Sequence, residues 1–296
     1  MAAIVYSPRD WRGNSKTPPG KRPPPAGPLR PGRGAVNLEP VTRSPLASAA
    51  LLSLLAAGCS APQPPAGPAA GKVGGKGKGK GERVRIVFVG DTSFGENYQR
   101  RLKAAGKEDV LERRGYDYPL SRLDPLLRGA RLVIANLETP LTRRAKSPLA
   151  GKKRYVHWSD PERAPAALAR HNIRAVCLGN NHAMDYGLDG LRDTLAALEK
   201  HGVRHYGAGL DEAGAVRPLT ESVRVGGREF RLAVIGGFEL RDSYAEKYRF
   251  YAREEKGGVA GLEWGEIAER VRKLKAADPG LFVVVTPHWG ANYGSR

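Results

Sequence analysis

Ala175–Gly190 reads A-V-C-L-G-N-N-H-A-M-D-Y-G-L-D-G, an apolar run that breaks into two asparagines and a histidine. The run Ala175-Val176-Cys177-Leu178 is too short for a helix and rich enough in β-formers for a buried strand. After Gly187, leucines at Leu188, Leu191, Leu195 and Leu198 keep the three-and-four spacing of one helical face. Asp189 in the first turn, Lys200 in the last and Gly202 just beyond complete the helix signals. Asn180-Asn181-His182 is therefore expected at the carboxyl end of a strand, on a loop entering a helix, the rim where open α/β sheets bind ligands. Taken alone, the Asn-Asn pair reads equally as turn chemistry and His182 as a satisfied polar residue.

The same strand-then-polar pattern recurs on both sides of this stretch. Arg83–Val89 predicts a strand ending at Gly90-Asp91-Thr92. Tyr118–Leu127 reads as helical, Arg131–Ala135 as a strand ending in Asn136-Leu137-Glu138, and Pro161–Arg170 as a helix. Shorter strands are expected near Arg204–Tyr206, Val223–Val225 and Phe230–Ile235. Ile267, Val271 and Leu274 mark a further helix, stopped by Pro279-Gly280, and Leu281–Thr286 is a last buried strand leading into Pro287-His288. Strands alternating with helices predict an α/β domain with a largely parallel sheet, beginning at residue 83 and running to residue 296.

The formal net charge is +19, but it is unevenly placed. Residues 1–40 carry seven Lys/Arg against two acids, and residues 41–81 carry five against none, so less than half of the excess belongs to the folded part. With no basic helix interleaved with aromatics, nucleic acid is not the expected partner. Residues 1–40 are rich in Pro, Gly and Arg without periodicity, too poor in apolar surface to fold, and are read as a disordered or non-native extension. Residues 41–59 have the layout of a signal peptide: Arg43, a short apolar stretch, then small residues up to Cys59. Cys59 resembles the lipidated cysteine of a bacterial lipobox, with Ala56 where Leu is usual, which implies translation starting at Val41 and a membrane-anchored protein on the extracytoplasmic side. The alternative is a disordered tail with a chance apolar patch. Residues 60–82 are a Pro/Gly/Lys-rich linker.

Four strand ends thus carry carboxylate, carboxamide and imidazole groups: Asp91; Asn136 with Glu138; Asn180, Asn181 and His182; and His288. In a parallel sheet those ends share one rim. Mixed oxygen and nitrogen donors suit Mn, Zn, Fe or Mg, and no second nearby cysteine supports a thiolate site. A carboxylate such as Glu138 can bridge two ions, a clamp suited to phosphoryl displacement, with His182 placed as a general acid.

The motifs G-D-T-S-F-G, N-L-E-T-P-L-T, G-N-N-H-A-M-D-Y-G, H-Y-G-A-G and H-W-G-x-x-Y together resemble the CapA family, associated with poly-γ-glutamate capsule synthesis and part of the calcineurin-like metallophosphatase superfamily. The resemblance runs from about Arg83 to Tyr293 and implies a four-layer α/β/β/α sandwich with its site at the strand ends. It implies metal positions at Asp91, Glu138, Asn181 and His288, flanking roles for Asn136 and Asn180, and catalytic roles for His182 and for Asp185, which either orients His182 or caps the following helix. A divalent metal cofactor, of one ion or two, an anionic polymer or phosphoester substrate, and other capsule-synthesis proteins as partners belong to the same implication. The chain departs from the family where Asn292 replaces a Glu. It also ends before the Gly-x-His-x-His motif of the family, so the resemblance implies a C-terminally truncated copy, with exposed apolar faces and weakened metal binding. A non-catalytic component that binds or exports the polymer is the alternative function.

Tyr155, His157 and Trp158 read either as edge-strand packing or as groove lining. Arg144, Lys146, Lys152, Lys153 and Arg154 read first as a solvated loop, and beside a metal rim as an attractor for a polyanion such as poly-γ-glutamate or for a phosphate ester.

Overall fold

The structure is a computed structural model that describes residues 4–6, 49–53, 83–95 and 97–290. Cys59, most of the N-terminal segments read from sequence, and Asn292 and Tyr293 lie outside the described residues.

Four strands run parallel in the first sheet: β1 Arg85–Thr92, β2 Leu132–Leu137, β3 Ile173–Cys177 and β4 Arg204–Tyr206. Ala49–Ser53 pairs antiparallel with the outer edge of β1. The second sheet is built on a hairpin, β5 Leu219–Val225 and β6 Arg228–Glu239, and on β7 Phe282–His288, which lies parallel to β6. Gly226 and Gly227, both at positive φ, make the hairpin turn, a backbone that non-glycine residues rarely adopt. Gly261–Leu262 and Ile4–Tyr6 complete this sheet at its edges.

Alternation along the strands sorts the core into layers. Ile86, Phe88, Leu132, Ile134, Ala175 and Cys177 on one face of the first sheet meet Leu219, Leu232, Val234 and Val284 of the second. The opposite face of the first sheet, with Val87, Val133, Ala135 and Val176, packs on α1 Arg163–Arg170 and α2 Gly187–Lys200. The outer face of the second sheet, with Ala233, Ile235, Val283 and Val285, packs on Ile267, Val271 and Leu274 of α3 Trp264–Ala277. The domain is therefore mixed α/β, with helices packed on the outward face of each sheet. β1, β2 and β7 bury residues on both faces, which is why they read as near-continuous apolar runs, whereas β5 alternates buried and exposed residues.

Several boundaries differ from the sequence reading; β5 and β6, for instance, are longer than the short strands expected near Val223–Val225 and Phe230–Ile235. Tyr118–Leu127 divides into short helices, Tyr118–Ser121 and Asp124–Leu127, each with a proline in its first turn; Pro125 has no amide hydrogen to extend the first helix. β2 and β7 run on through Leu137 and His288, so Asn136 and His288 are strand residues rather than loop residues.

The two sheets touch backbone to backbone beside the Asn180 loop. A Cβ at Gly179 would lie 2.7 Å from both N and Cα of Gly237 in β6, and one at Gly207 would lie 2.7 Å from the Gly179 nitrogen. Neither neighbour is a side-chain tip that can swing away. Gly179→Ala is expected to lower stability by about 1–3 kcal/mol through overpacking, measured by urea denaturation; an unchanged midpoint would show that the sheets can separate at this point without penalty.

Candidate active site at the strand-end rim

All eight residues singled out in the sequence converge on one rim; seven are joined by a continuous hydrogen-bond network, and the Glu138 carboxylate faces two of their imidazoles. Asn136, buried at the end of β2, donates both amide hydrogens: to Asp91 Oδ1 at 2.8 Å and to His288 Nδ1 at 3.2 Å. Its own oxygen accepts from Asn180 Nδ2 at 3.0 Å. Asn180 donates again to the Leu137 carbonyl, and its oxygen accepts from the His182 and Ala183 amides at 3.0 and 2.9 Å. That last pair of bonds is the turn chemistry anticipated for Asn-Asn, and it also aims the site, so both readings hold.

Because Nδ1 of His288 accepts, its Nε2 carries the proton and donates to Asn181 Oδ1 at 2.9 Å. Glu138 Oε1 lies 3.6 Å from the same Nε2 and 3.9 Å from Nε2 of His182. Glu138 and Asn181 thus each bring an oxygen against the Nε2 of His288. Their spacing of 2.9 to 3.6 Å is comparable to the edges, roughly 3.0–3.4 Å, of an octahedron or tetrahedron with metal–ligand bonds of about 2.1 Å. Among the described residues, no three His, Cys, Asp or Glu side chains form such a group by themselves; the carboxamide of Asn181 completes the trio. Asp91 stands one hydrogen bond further off, behind Asn136. The donor set fits one divalent ion at Glu138, Asn181 and His288 in the neutral His288 tautomer that carries its proton on Nδ1, which frees the Nε2 lone pair and asks the Asn136 carboxamide to turn its oxygen toward Nδ1.

His182 is held from behind. Its Nδ1 donates to Asp185 Oδ2 at 2.6 Å, leaving the Nε2 lone pair to face Glu138. Asp185 is fully buried; its Oδ2 also accepts from the His157 amide at 2.7 Å, while Oδ1 accepts from Lys153. The α2 helix has no side-chain cap at its N-terminus, so of the two roles considered for Asp185 the structure places it against His182. Burial pushes the His182 imidazole down to about 4, outweighing Asp185, which favours the charged form, while Lys153 opposes it. At neutral pH His182 is therefore a proton acceptor at Nε2. The acid role read from sequence requires the imidazolium, which an anion approaching Nε2 would favour.

Two residues named in the sequence reading, Lys153 and His157, stand closer to the site than that reading placed them. Lys153, read as part of a solvated loop, is the buried member of that loop. Its Nζ donates to the Asn181 carbonyl at 2.6 Å and to Asp185, and lies 5.7 Å from the Tyr244 ring and 5.4 Å from that of Phe250. Burial lowers the Lys153 pKa while Asp185 opposes the shift. His157 stacks on His182, ring centroids 3.5 Å apart and planes within 6°, and its Nδ1 donates to the Glu138 carbonyl at 2.8 Å. The one available signal was position: both fall in the segment that returns from the Glu138 strand end toward α1.

A two-sheet α/β domain with oxygen and imidazole donors gathered at its strand ends is of the metallophosphatase-like class. The family model described as bacterial capsule synthesis protein PGA_cap matches residues 85–296, and the chain belongs to that family. A Mycobacterium tuberculosis protein named a probable polyglutamine synthesis accessory protein is 36% identical over 169 residues, which are 54% of this chain and 42% of that protein. The capsule biosynthesis protein CapA of Bacillus anthracis is 26% identical, over 73% of this chain and 48% of its own length. The PGA biosynthesis protein CapA of Bacillus subtilis is 27% identical, over 70% and 49%. The chain spans about half the length of these relatives.

Two measurements probe this geometry. The unfolded His182 titrates near its ordinary 6.5 and the native one near 4, so between those values the unfolded state binds the extra proton. The metal-free protein is expected to lose stability as pH falls through that window, by at most about 1.4 kcal/mol per pH unit from this group. His182→Gln should flatten the slope in urea denaturation, and a variant with an undiminished slope would show that the imidazole is not held neutral. Removing the buried Lys153 leaves Asp185 uncompensated. Lys153→Met is expected to cost about 3–5 kcal/mol, with much of that loss recovered in the Lys153→Met/Asp185→Asn double variant; additive losses would mean the two groups do not act as a pair.

Proposed function

We propose that this chain serves in the biosynthesis of an anionic capsule polymer of the poly-γ-glutamate type, at the cell envelope. Its strand-end rim is a metal-dependent hydrolase site acting on a phosphoester or on another ester or amide bond. The observation that carries the reading is the meeting of Glu138, Asn181 and His288 beside His182, from three strand ends of two sheets. Family membership and the names of the relatives support the polymer.

In this reading Glu138, Asn181 and His288 hold one divalent ion of the Mn, Zn, Fe or Mg kind, and Asp91 with Asn136 supports His288 or a second ion. Such an ion supplies Lewis-acid polarisation of the bond to be cut. His182 holds or moves a proton at Nε2, Asp185 fixes its tautomer, and Asn180 sets the loop that presents it. Anchoring through a lipidated Cys59 is part of the same proposal.

The second reading, a polymer-binding component without turnover, is favoured by one feature, the exposed cations Lys146, Lys152 and Arg154, which have no carboxylate partner among the described residues. Elemental analysis after equilibrium dialysis separates the two, together with hydrolysis assays on a phosphodiester and on a γ-glutamyl peptide. Glu138→Gln and His288→Ala are expected to weaken metal binding by about 10–100-fold, whereas His182→Ala should keep the metal and lose turnover. Metal retained equally by the Glu138 and His288 variants would remove the hydrolase reading.

A further inference from the structure

The loop that runs from Thr142 to Val156 carries a row of cations, and their partners are unequally distributed. Arg143 pairs with Asp160, Arg144 with Asp189 and Asp193, and Lys153 with Asp185. Lys146, Lys152 and Arg154 are exposed, and among the described residues no carboxylate pairs with them. All three line one cleft of about 650 Å³, and none of the described residues in its wall is acidic. That volume lies in the range of sites that enclose a ligand.

The cleft is built rather than incidental. Ser147 Oγ donates to the Asp185 carbonyl and accepts from the Leu149 amide, and the Tyr248 hydroxyl donates to the Lys152 carbonyl at 3.0 Å. Gly151, at φ +75°, makes a turn that other residues would strain to adopt. Val156 and Tyr186, both buried, supply an apolar floor. Lys153 joins the cleft to the rim: it lines the cavity while its ammonium faces Asn181 and Asp185.

From this arrangement we infer that the cleft is a binding trough for a carboxylate-bearing polymer segment, a proposal that rests on the polymer reading above. Cations over a concave, partly apolar wall create a positive potential that concentrates anionic groups from solution. The floor suits an amide and methylene backbone, and the pendant carboxylates reach Lys146, Lys152 and Arg154. Nucleic acid is a poorer occupant, because the aromatic residue in the described wall of the cleft, Tyr186, is buried and presents no exposed face for base stacking.

The test is isothermal titration of the full chain with a short γ-linked oligoglutamate, and in parallel with a polyphosphate of matched charge. The triple variant Lys146→Gln/Lys152→Gln/Arg154→Gln alters exposed side chains, so its fold is checked by circular dichroism and retained. Its affinity for the oligoglutamate is expected to drop about ten-fold or more, and about 0.5 M salt should weaken the wild type similarly. Oligoglutamate binding by the triple variant equal to that of the wild type would overturn the cleft assignment while leaving the polymer reading intact. No binding by the wild type would overturn both. Polyphosphate bound as tightly as oligoglutamate would show a general polyanion patch and overturn the carboxylate class.

Discussion

Every bonding position of the Asn180 carboxamide is used: two hydrogens on Asn136 and Leu137, and one oxygen shared by the His182 and Ala183 amides. The group is fully buried, so each bond is made where water cannot substitute for it. Through it the β2 strand end fixes the loop after β3, and through Asn136 the same network reaches Asp91 in β1 and His288 in β7. The rim is therefore one connected polar structure rather than a set of neighbouring residues. Asparagine suits this position because it donates and accepts at once without carrying a charge that would need a counter-ion.

Behind this network a second buried layer handles charge. Asp185 collects Lys153, His157 and His182 in one place, so a fully buried carboxylate has an ammonium, a backbone amide and an imidazole to satisfy it. The stacked His157 ring and the Tyr244 and Phe250 faces around Lys153 exclude water from that layer. Dry surroundings strengthen each of these interactions and make each expensive to leave half-made.

Much of this was legible in the sequence because strand ends advertise themselves. β-branched runs gave the strands, Gly-Asp, Asn-Leu-Glu, Gly-Asn-Asn-His and Pro-His marked where they stop, and parallel topology put the stops on one edge. Lys153 was not legible, since Lys-Lys-Arg is the pattern of a solvated loop and only the tertiary position of Asp185 draws one of the three inward. The stacking of His157 on His182 depends on two loops meeting, which no local periodicity encodes. The protonation state of His182 was likewise hidden, because desolvation is a property of the assembled core.

The backbone contact between Gly179 and Gly237 lies next to a rim that takes Glu138 and Asn181 from one sheet and His288 from the other. A ligand seated at that rim spans the sheet–sheet seam and so acts as a rivet across it. Its binding free energy is then also cohesion between the two halves of the domain, rising with the logarithm of ligand concentration once the site is saturated. Resistance to heat and occupancy of the rim are, in this architecture, two readings of one equilibrium.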